Sequence, residues 1–230
     1  MPIQPALALF VSVFLLISSA FSQTTQSTDS PSRLQTEYRT NPLGIDASAP
    51  RFSWVVPDIQ RNTLQTAYQI VVGSIEENIA SGEADIWDSG KVTSTQSINI
   101  AYAGSLLKPH TRYYWAVRIW DNHGNQTEYA EPAWFEIAKL TETDWQALWI
   151  GDGRPAPGRE EDMYDTIPAP LFRKDFQVDQ PVEKARLYIS GLGYYEAELN
   201  GEKVGDQVLD PGWTNYGKRV IYSTYEVNSQ

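Results

Sequence analysis

Four carboxylates in the last third of the chain could serve as general acids and bases: Glu196, Glu198, Asp206 and Asp210. Hydrolysis of glycosidic bonds uses two such groups roughly 5 to 9.5 Å apart. Glu196 and Glu198, however, alternate with Ala197 and Leu199, and this period of two is typical of the solvated face of a strand. We therefore expect these carboxylates to be structural and assign no catalytic residue to this chain.

A second group of candidates follows Asp210. The sequence Asp210-Pro211-Gly212-Trp213 predicts a tight turn that displays Trp213. An exposed Trp can stack on the apolar face of a sugar, and the nearby Asn215 and Tyr216 could bond the sugar hydroxyl groups. The alternative, which we favour on general grounds, is that Trp213 packs beneath its loop and fixes the loop shape. Trp213, Asn215 and Tyr216 are thus the candidate carbohydrate-binding residues.

Residue types that hold metals or nucleotides are sparse. His110 and His123 lie in separate turns, and neither is part of a paired-histidine ligand motif. The acidic cluster formed by Glu160, Glu161, Asp162 and Asp165 could hold Ca²⁺, but a solvated acidic loop is the simpler interpretation. We expect no metal site and no cofactor.

Composition excludes several classes of partner and chemistry. The 230 residues include 18 basic and 29 acidic side chains, which gives a net charge of −11. This charge disfavours nucleic acid and anionic membrane surfaces as partners. The chain has no Cys, so disulfides, thiolate nucleophiles and Cys-ligated metal sites are excluded. Eight Trp and 13 Tyr favour β structure or a surface that faces carbohydrate.

The N-terminus has the pattern of an export signal. Residues 6–17 are apolar except for Ser12, a length too short to span a bilayer, where about 20 residues are needed. Small residues at Ala20 and Ser22 predict cleavage before Gln23, although no Lys or Arg precedes the apolar run. We expect a signal peptide over residues 1–22, a flexible spacer over 23–32, and an exported protein, either periplasmic or secreted.

Beyond residue 32, short apolar runs broken by Gly, Pro, Asn and Asp predict an all-β chain. We place one β-sandwich at residues 33–138, a linker at 139–144 and the start of a second sandwich, a jelly roll, at 145–230. The expected strands of the first sandwich are 34–38, 51–56, 67–73, 97–100, 112–121 and 133–137. Those of the second are 171–178, 184–190, 194–200, 203–204 and 219–226. Asn200-Gly201 between alternating runs predicts a hairpin.

Residues 107–113, Leu-Lys-Pro-His-Thr-Arg-Tyr, resemble the corner of fibronectin type III domains. In that corner a Leu packs inward, a Pro turns the chain, and the hydroxyl of a Tyr bonds back to the backbone. We expect Leu107 and Tyr113 to take these roles, and Trp54 to fill the core between the two sheets. Domains of this fold are spacers or binding platforms, so the fold assigns no activity.

Several motifs together resemble the N-terminal region of bacterial α-L-rhamnosidases, the inverting glycoside hydrolases of family 78. The longest run is Gly193-Tyr-Tyr-Glu, then Asn200-Gly, Val204-Gly and Asp210-Pro-Gly-Trp-Thr-Asn-Tyr. Upstream motifs agree in order: Asn41-Pro-Leu-Gly-Ile-Asp, Pro50-Arg-Phe-Ser-Trp, Ala67-Tyr-Gln-Ile-Val-Val-Gly, Trp87-Asp-Ser-Gly and Trp149-Ile-Gly. The resemblance covers about residues 33–228.

The resemblance implies a function that lies largely outside this chain. In that family two Glu residues on a downstream (α/α)₆ barrel perform catalysis, so no catalytic residue transfers to these 230 residues. We expect an accessory region of an exported enzyme that releases terminal α-L-rhamnose, with a rhamnose-containing glycan or glycoside as substrate. The second domain should then be incomplete and pack against the catalytic domain. The alternatives are a secreted carbohydrate-binding or adhesion module without catalysis and, less favoured, another glycosidase that shares the jelly roll.

Overall fold

The structure is a computed structural model that describes residues 30–57, 61–155, 158–159, 161, 164 and 168–228. The expected signal peptide and the spacer up to residue 29 lie outside these residues. Within the described ranges the chain is almost entirely strands and loops, with one helical turn α1 at Glu76–Ala80 and a short 3₁₀ turn at Glu142–Asp144. The all-β fold class is confirmed. No helix among the described residues is long and apolar enough to cross a bilayer.

The first unit is an immunoglobulin-like sandwich of two antiparallel sheets. The smaller sheet has the order β1–β2–β6, with strands Ser32–Thr36 (β1), Arg51–Val55 (β2) and Ile100–Ala101 (β6). The larger sheet has the order β4–β3–β7–β8, and β5 also pairs with β3. Its strands are Gln65–Gly73 (β3), Trp87–Asp88 (β4), Val92–Thr93 (β5), Arg112–Asp121 (β7) and Ala133–Glu136 (β8).

Strand β7 organises the sandwich because both of its faces carry bulky side chains. On its inner face Tyr113, Trp115, Val117 and Ile119 are buried in the main core. Its neighbours β3 and β8 pair with it on either side, which makes it the central strand that this two-sided pattern predicts. The bounds of β7 agree with those expected from the alternation of its residues.

The fibronectin-like corner is confirmed. The hydroxyl of Tyr113 accepts a hydrogen bond from the backbone N–H of Lys108 at 2.9 Å, and Leu107 is buried. Trp54 lies in the core, where its indole N–H donates to Gln65 Oε1 at 2.9 Å. A buried indole N–H needs such a partner, because an unsatisfied donor costs roughly 1–3 kcal/mol.

Helix α1 and the two short strands β4 and β5 were not predicted. Ile79 of α1 is buried against Val71 and Ala116 on the outer face of the larger sheet. This helix therefore covers part of that face. Five residues are too few to produce a recognisable helical period in the sequence.

The second unit contains two antiparallel strand pairs. Arg186–Ile189 (β9) pairs with Ser223–Glu226 (β12), and Glu198–Leu199 (β10) pairs with Glu202–Lys203 (β11). The turn between β10 and β11 is Asn200-Gly201, with φ of 53° and 85°. Two successive positive φ values are what a two-residue hairpin turn requires, so the predicted hairpin is confirmed.

Three expected strands of the second unit are wrong in part or in full. Residues 171–178 form no strand, and regular strand structure covers only two residues of the expected 194–200 and four of the expected 219–226. A strand requires a hydrogen-bonding neighbour, and no described residue pairs with 171–178. The apolar side chains that suggested this strand are therefore exposed: Leu171, Phe172, Phe176 and Val178.

Candidate functional site

The candidate sugar-binding residues lie on one loop, residues 208–219, which we call the Trp213 loop. Its anchor is Asp210, whose backbone carbonyl accepts the N–H of Tyr195 at 3.0 Å. The Asp210 carboxylate accepts the hydroxyls of Tyr195 and Tyr225, the latter at 2.8 Å. The Asp210–Pro211 peptide is cis, and Pro211 is buried. The predicted Asp-Pro-Gly-Trp turn is thus tied to the core of the second unit.

The hydroxyl donors around Asp210 hold it in the charged form. Burial of Asp210 opposes ionisation, but hydrogen bonds from Ser223, Tyr195 and Tyr225 outweigh that penalty, and the pKa of Asp210 lies below its ordinary value. Burial, followed by the bond to the Asp210 carboxylate, raises the pKa of Tyr195. Asp210 and the two tyrosines are therefore occupied with one another, and their role is to position the loop.

Trp213 projects from this anchor into solvent. Its side chain is 73% exposed, and it stacks on Tyr194, itself 54% exposed, with ring centroids 6.0 Å apart and planes 25° from parallel. The expectation that Trp213 packs beneath its loop is wrong, because the anchoring is done by Pro211 and Asp210. Tyr194 and Tyr195 have different partners: the Tyr194 ring lies against Trp213, whereas the Tyr195 hydroxyl donates to the Asp210 carboxylate.

Asn215 and Tyr216 are the other two candidate residues of the loop. They differ in how much of the side chain remains available to a ligand. The Asn215 side-chain oxygen accepts the N–H of Gly217 at 3.1 Å, and its backbone carbonyl accepts the N–H groups of Lys218 and Arg219. Half of the Asn215 amide is thus used to close a turn, which leaves its NH₂ group for a ligand. Tyr216 is 37% exposed. The loop therefore carries all three candidates, and it places Trp213 against Tyr194, which was not among the candidate residues predicted from the sequence.

The remaining carboxylates form no catalytic pair. Glu196, Glu198 and Asp206 are exposed, and Glu196 pairs with Lys203 at 3.2 Å. Among the described residues no group of three or more His, Asp or Glu side chains could hold a metal ion. Of the acidic cluster considered for Ca²⁺, only Glu161 lies within the described residues, so that hypothesis falls outside the structure.

A charge cluster centred on a buried carboxylate, which the sequence did not reveal, joins the two units. We call Glu136, Arg112, Lys184, Arg186 and Glu226 the junction cluster. Glu136, at the end of β8, is fully buried and accepts two hydrogen bonds from the Arg186 guanidinium, at 2.8 and 3.1 Å. Lys184 Nζ lies 3.1 Å from the same carboxylate and Arg112 Nη2 3.3 Å. Glu226 of β12 lies 3.2 Å from Arg186.

Glu136 stays ionised in this buried position. Burial by itself would raise the pKa of Glu136, but hydrogen bonds from Arg186 and Lys184 outweigh it and lower that pKa. A buried carboxylate with paired cations on several sides is costly to disturb, because removing one charge leaves the others without a partner. Since Glu136 belongs to the first unit and Lys184 and Arg186 to the second, the cluster fixes how the two units sit together.

Aromatic side chains extend the junction on one side of the charges. His110 Nδ1 lies 2.8 Å from the Tyr188 hydroxyl, and Trp145 packs edge-on against Tyr222. Burial, together with the nearby Glu136 charge, raises the pKa of Tyr188 to about 12. Lys139 Nζ lies 5.0 Å from the centre of the Tyr188 ring. A cavity of about 390 Å³ opens here, and its lining includes His110, Lys139 and Tyr188.

Two family models match this chain in succession. Residues 31–141 match the model described as the Rha78A-like N-terminal immunoglobulin domain. Residues 180–230 match the model described as the α-L-rhamnosidase N-terminal domain. The first match contains every strand of the first sandwich, and the second contains both the Trp213 loop and the two cations of the junction cluster that come from the second unit.

Individual relatives also align with most of this chain, although the aligned part is a small share of their own length. An α-L-rhamnosidase of Formosa agariphila is 38% identical over an alignment of 206 residues, and the match covers 84% of this chain and 22% of the relative. The solved α-L-rhamnosidase of Dictyoglumus thermophilum is 39% identical with a TM-score of 0.76, covering 86% of this chain and 23% of its own. That of Streptomyces avermitilis, solved with L-rhamnose, is 27% identical with a TM-score of 0.50, covering 85% and 20%. The chain thus spans about a fifth of the length of these proteins.

Proposed function

This chain belongs to the α-L-rhamnosidase family, whose N-terminal region it matches, and we propose that the whole protein hydrolyses terminal non-reducing α-L-rhamnose from glycans or glycosides with inversion. The residues described here serve as its accessory region. The observation that carries the proposal is that both units match, in the same order, the N-terminal fifth of enzymes that bear this name. The junction cluster supports the accessory role, because its ion pairs hold the two units together.

The direct test is an activity assay of the full-length protein on an aryl α-L-rhamnoside. We expect release of the aryl group, and analysis of the fresh product by NMR should give rhamnose of inverted anomeric configuration. Matched aryl glucosides and galactosides serve as controls. Inactivity on the rhamnoside together with hydrolysis of another glycoside would overturn the proposal, and binding of glycans with no hydrolysis would favour the module without catalysis.

Within that function we propose that the Trp213 loop contacts the carbohydrate. The supporting observations are the two exposed, stacked rings of Trp213 and Tyr194 and the unused NH₂ group of Asn215. Trp213→Ala in the full-length protein is expected to weaken the affinity for rhamnosides at least about tenfold, since stacked rings are energetic centres of binding surfaces. Tyr38→Ala removes an exposed aromatic ring of the first unit, away from the loop, and is the matched control. Equal effects of the two substitutions would contradict the loop assignment.

We also propose that the exposed apolar side chains of the second unit pack against the catalytic domain of the whole protein. The candidates are Leu148, Trp149, Phe172 and Phe176, which are exposed although such side chains are normally covered. Phe172→Ser with Phe176→Ser is expected to increase the proteolysis of the full-length protein and to leave the isolated N-terminal chain unaffected. Equal proteolysis of both would contradict the contact.

Export is the final part of the proposal. The apolar run of residues 6–17 and the small residues before Gln23 support a cleaved signal peptide. N-terminal sequencing of the protein recovered outside the cytoplasm is expected to begin at Gln23. Recovery of the uncleaved chain from the cytoplasm would overturn this expectation.

A further inference from the structure

The outer face of the larger sheet of the first unit carries two cations beside one indole ring. Lys91 Nζ lies 4.3 Å from the centre of the Trp120 ring, and Arg118 Cζ lies 5.3 Å from it. Strand register brings these residues close together. Gln69 of β3 is paired with Arg118 of β7, the neighbouring Tyr68 is paired with Val92 of β5, and Lys91 immediately precedes β5. We call this region, with Tyr129, the Trp120 face.

The guanidinium of Arg118 is held in a fixed orientation. Its Nε and Nη2 donate to Gln69 Oε1 at 3.0 and 2.7 Å, and it lies 4.7 Å from the ring centre of Tyr129. Gln69 is held in turn by the Asp88 carboxylate at 2.8 and 3.0 Å. Of the five N–H donors of a guanidinium, two are used here, so the remaining ones are available to a ligand that arrives from solvent.

These two cations differ from those of the junction cluster. In the part of the chain that the structure describes, no carboxylate lies within ion-pair distance of Lys91 or Arg118, whereas Lys184 and Arg186 both pair with Glu136. Two like charges beside one ring repel each other, and a protein of net charge −11 has abundant carboxylates that could have neutralised them. With the Asp88 carboxylate that holds Gln69 included, this region carries two cations and one carboxylate, a net positive charge on an acidic chain.

We propose that the Trp120 face binds an acidic glycan, with a sugar carboxylate held by Arg118 and Lys91, whose positions are set by the rings of Trp120 and Tyr129. An Arg fork is suited to a carboxylate because two parallel N–H groups meet its two oxygens. The requirement for an anion follows from the charges, while the commitment to a glycan rests on the proposed function. The face is independent of the junction cluster, since Arg112 and Trp120 are eight residues apart on β7, about 27 Å at ~3.4 Å per residue.

The test measures binding of the full-length protein to polygalacturonate and to its fully methyl-esterified form, which has the same backbone without charge. We expect binding to the acid form alone, weakening as salt is raised. Arg118→Gln should weaken it at least about tenfold and Lys91→Gln at least about threefold. Lys108→Gln removes the same charge at an exposed site elsewhere and should change nothing.

Three outcomes would overturn the proposal: equal binding of the esterified polymer, equal weakening by Lys108→Gln, or no binding by a protein whose thermal midpoint is normal. Equal binding of dextran sulfate that is lost in the same variants would identify unselective attraction of polyanions and would also overturn it. Arg118→Lys keeps the charge without the fork and should retain only part of the affinity. Polygalacturonate contains no rhamnose, so failure here is distinguishable from failure of the rhamnosidase assay.

Discussion

The junction cluster and the Trp213 loop are each organised by one carboxylate. The side chains around the first carboxylate are engaged in ion pairs, whereas those near the second include exposed aromatic rings. At the junction, Glu136 is fully buried and every cation around it is directed inward to a carboxylate. In the loop, Asp210 is satisfied by Tyr195 and Tyr225, while Trp213 and Tyr194 remain exposed. The central carboxylate is occupied by structural contacts in both regions, but of the two only the loop also keeps large side chains exposed to a ligand.

The largest effect is expected at the junction. Glu136→Gln leaves Arg186, Lys184 and Arg112 without their central charge and should lower the free energy of unfolding by about 3–5 kcal/mol. Chemical denaturation, followed by Trp fluorescence, gives this value. Glu226→Gln is the matched control, because Glu226 is half exposed and its pairs should contribute less than about 1 kcal/mol. Equal losses for the two variants would show that the cluster is not centred on Glu136.

Acid should weaken both regions. The pKa values of Glu136 and Asp210 are lowered in the folded state, so each carboxylate contributes stability above its ordinary pKa, 4.5 and 3.8 respectively. That stability is lost as the pH falls through the folded-state values, at about 1.4 kcal/mol for each unit by which the pKa is lowered. The free energy of unfolding should thus be level above about pH 5 and fall towards pH 3, and Glu136→Gln should make the curve flatter. An unchanged curve in that variant would contradict the assignment.

Features formed by residues that are close together in the sequence could be predicted, and contacts between residues that are far apart in the sequence could not. Strand β7, the Tyr113 corner and the Asn200-Gly201 hairpin were predicted correctly, because each is encoded by residues within ten positions of one another. The strand expected at residues 171–178 was wrong because a strand also needs a hydrogen-bonding neighbour. The pattern of apolar residues within a segment does not show whether such a neighbour exists. The junction cluster was missed because Glu136 and Arg186 are fifty positions apart, and a Glu in a strand is ordinarily solvated.

A smaller effect is expected when the anchor of the loop is altered. Asp210→Asn removes the charge and one acceptor from the hydroxyls of Tyr195 and Tyr225, and should cost about 1–3 kcal/mol. Hydrogen exchange should increase in residues 208–219 and stay unchanged in β7. Asp206→Asn, at an exposed position of the same unit, provides the control. Increased exchange across β7 as well would mean that the loop and the first sandwich unfold together.

The smallest effect on stability is expected for the exposed rings of Trp213 and Tyr194, whose removal should have the largest effect on ligand binding. Trp213→Ala and Tyr194→Ala should each change the free energy of unfolding by no more than about 0.5 kcal/mol, because neither ring is buried. Their coupling on stability in a double-mutant cycle should be similarly small. On rhamnoside affinity the two substitutions should be strongly coupled, since Tyr194 acts by holding the Trp213 ring in place. If the two rings were coupled in stability but not in affinity, their role would be structural, like that of the side chains in the junction cluster. The difference between the two regions would then disappear.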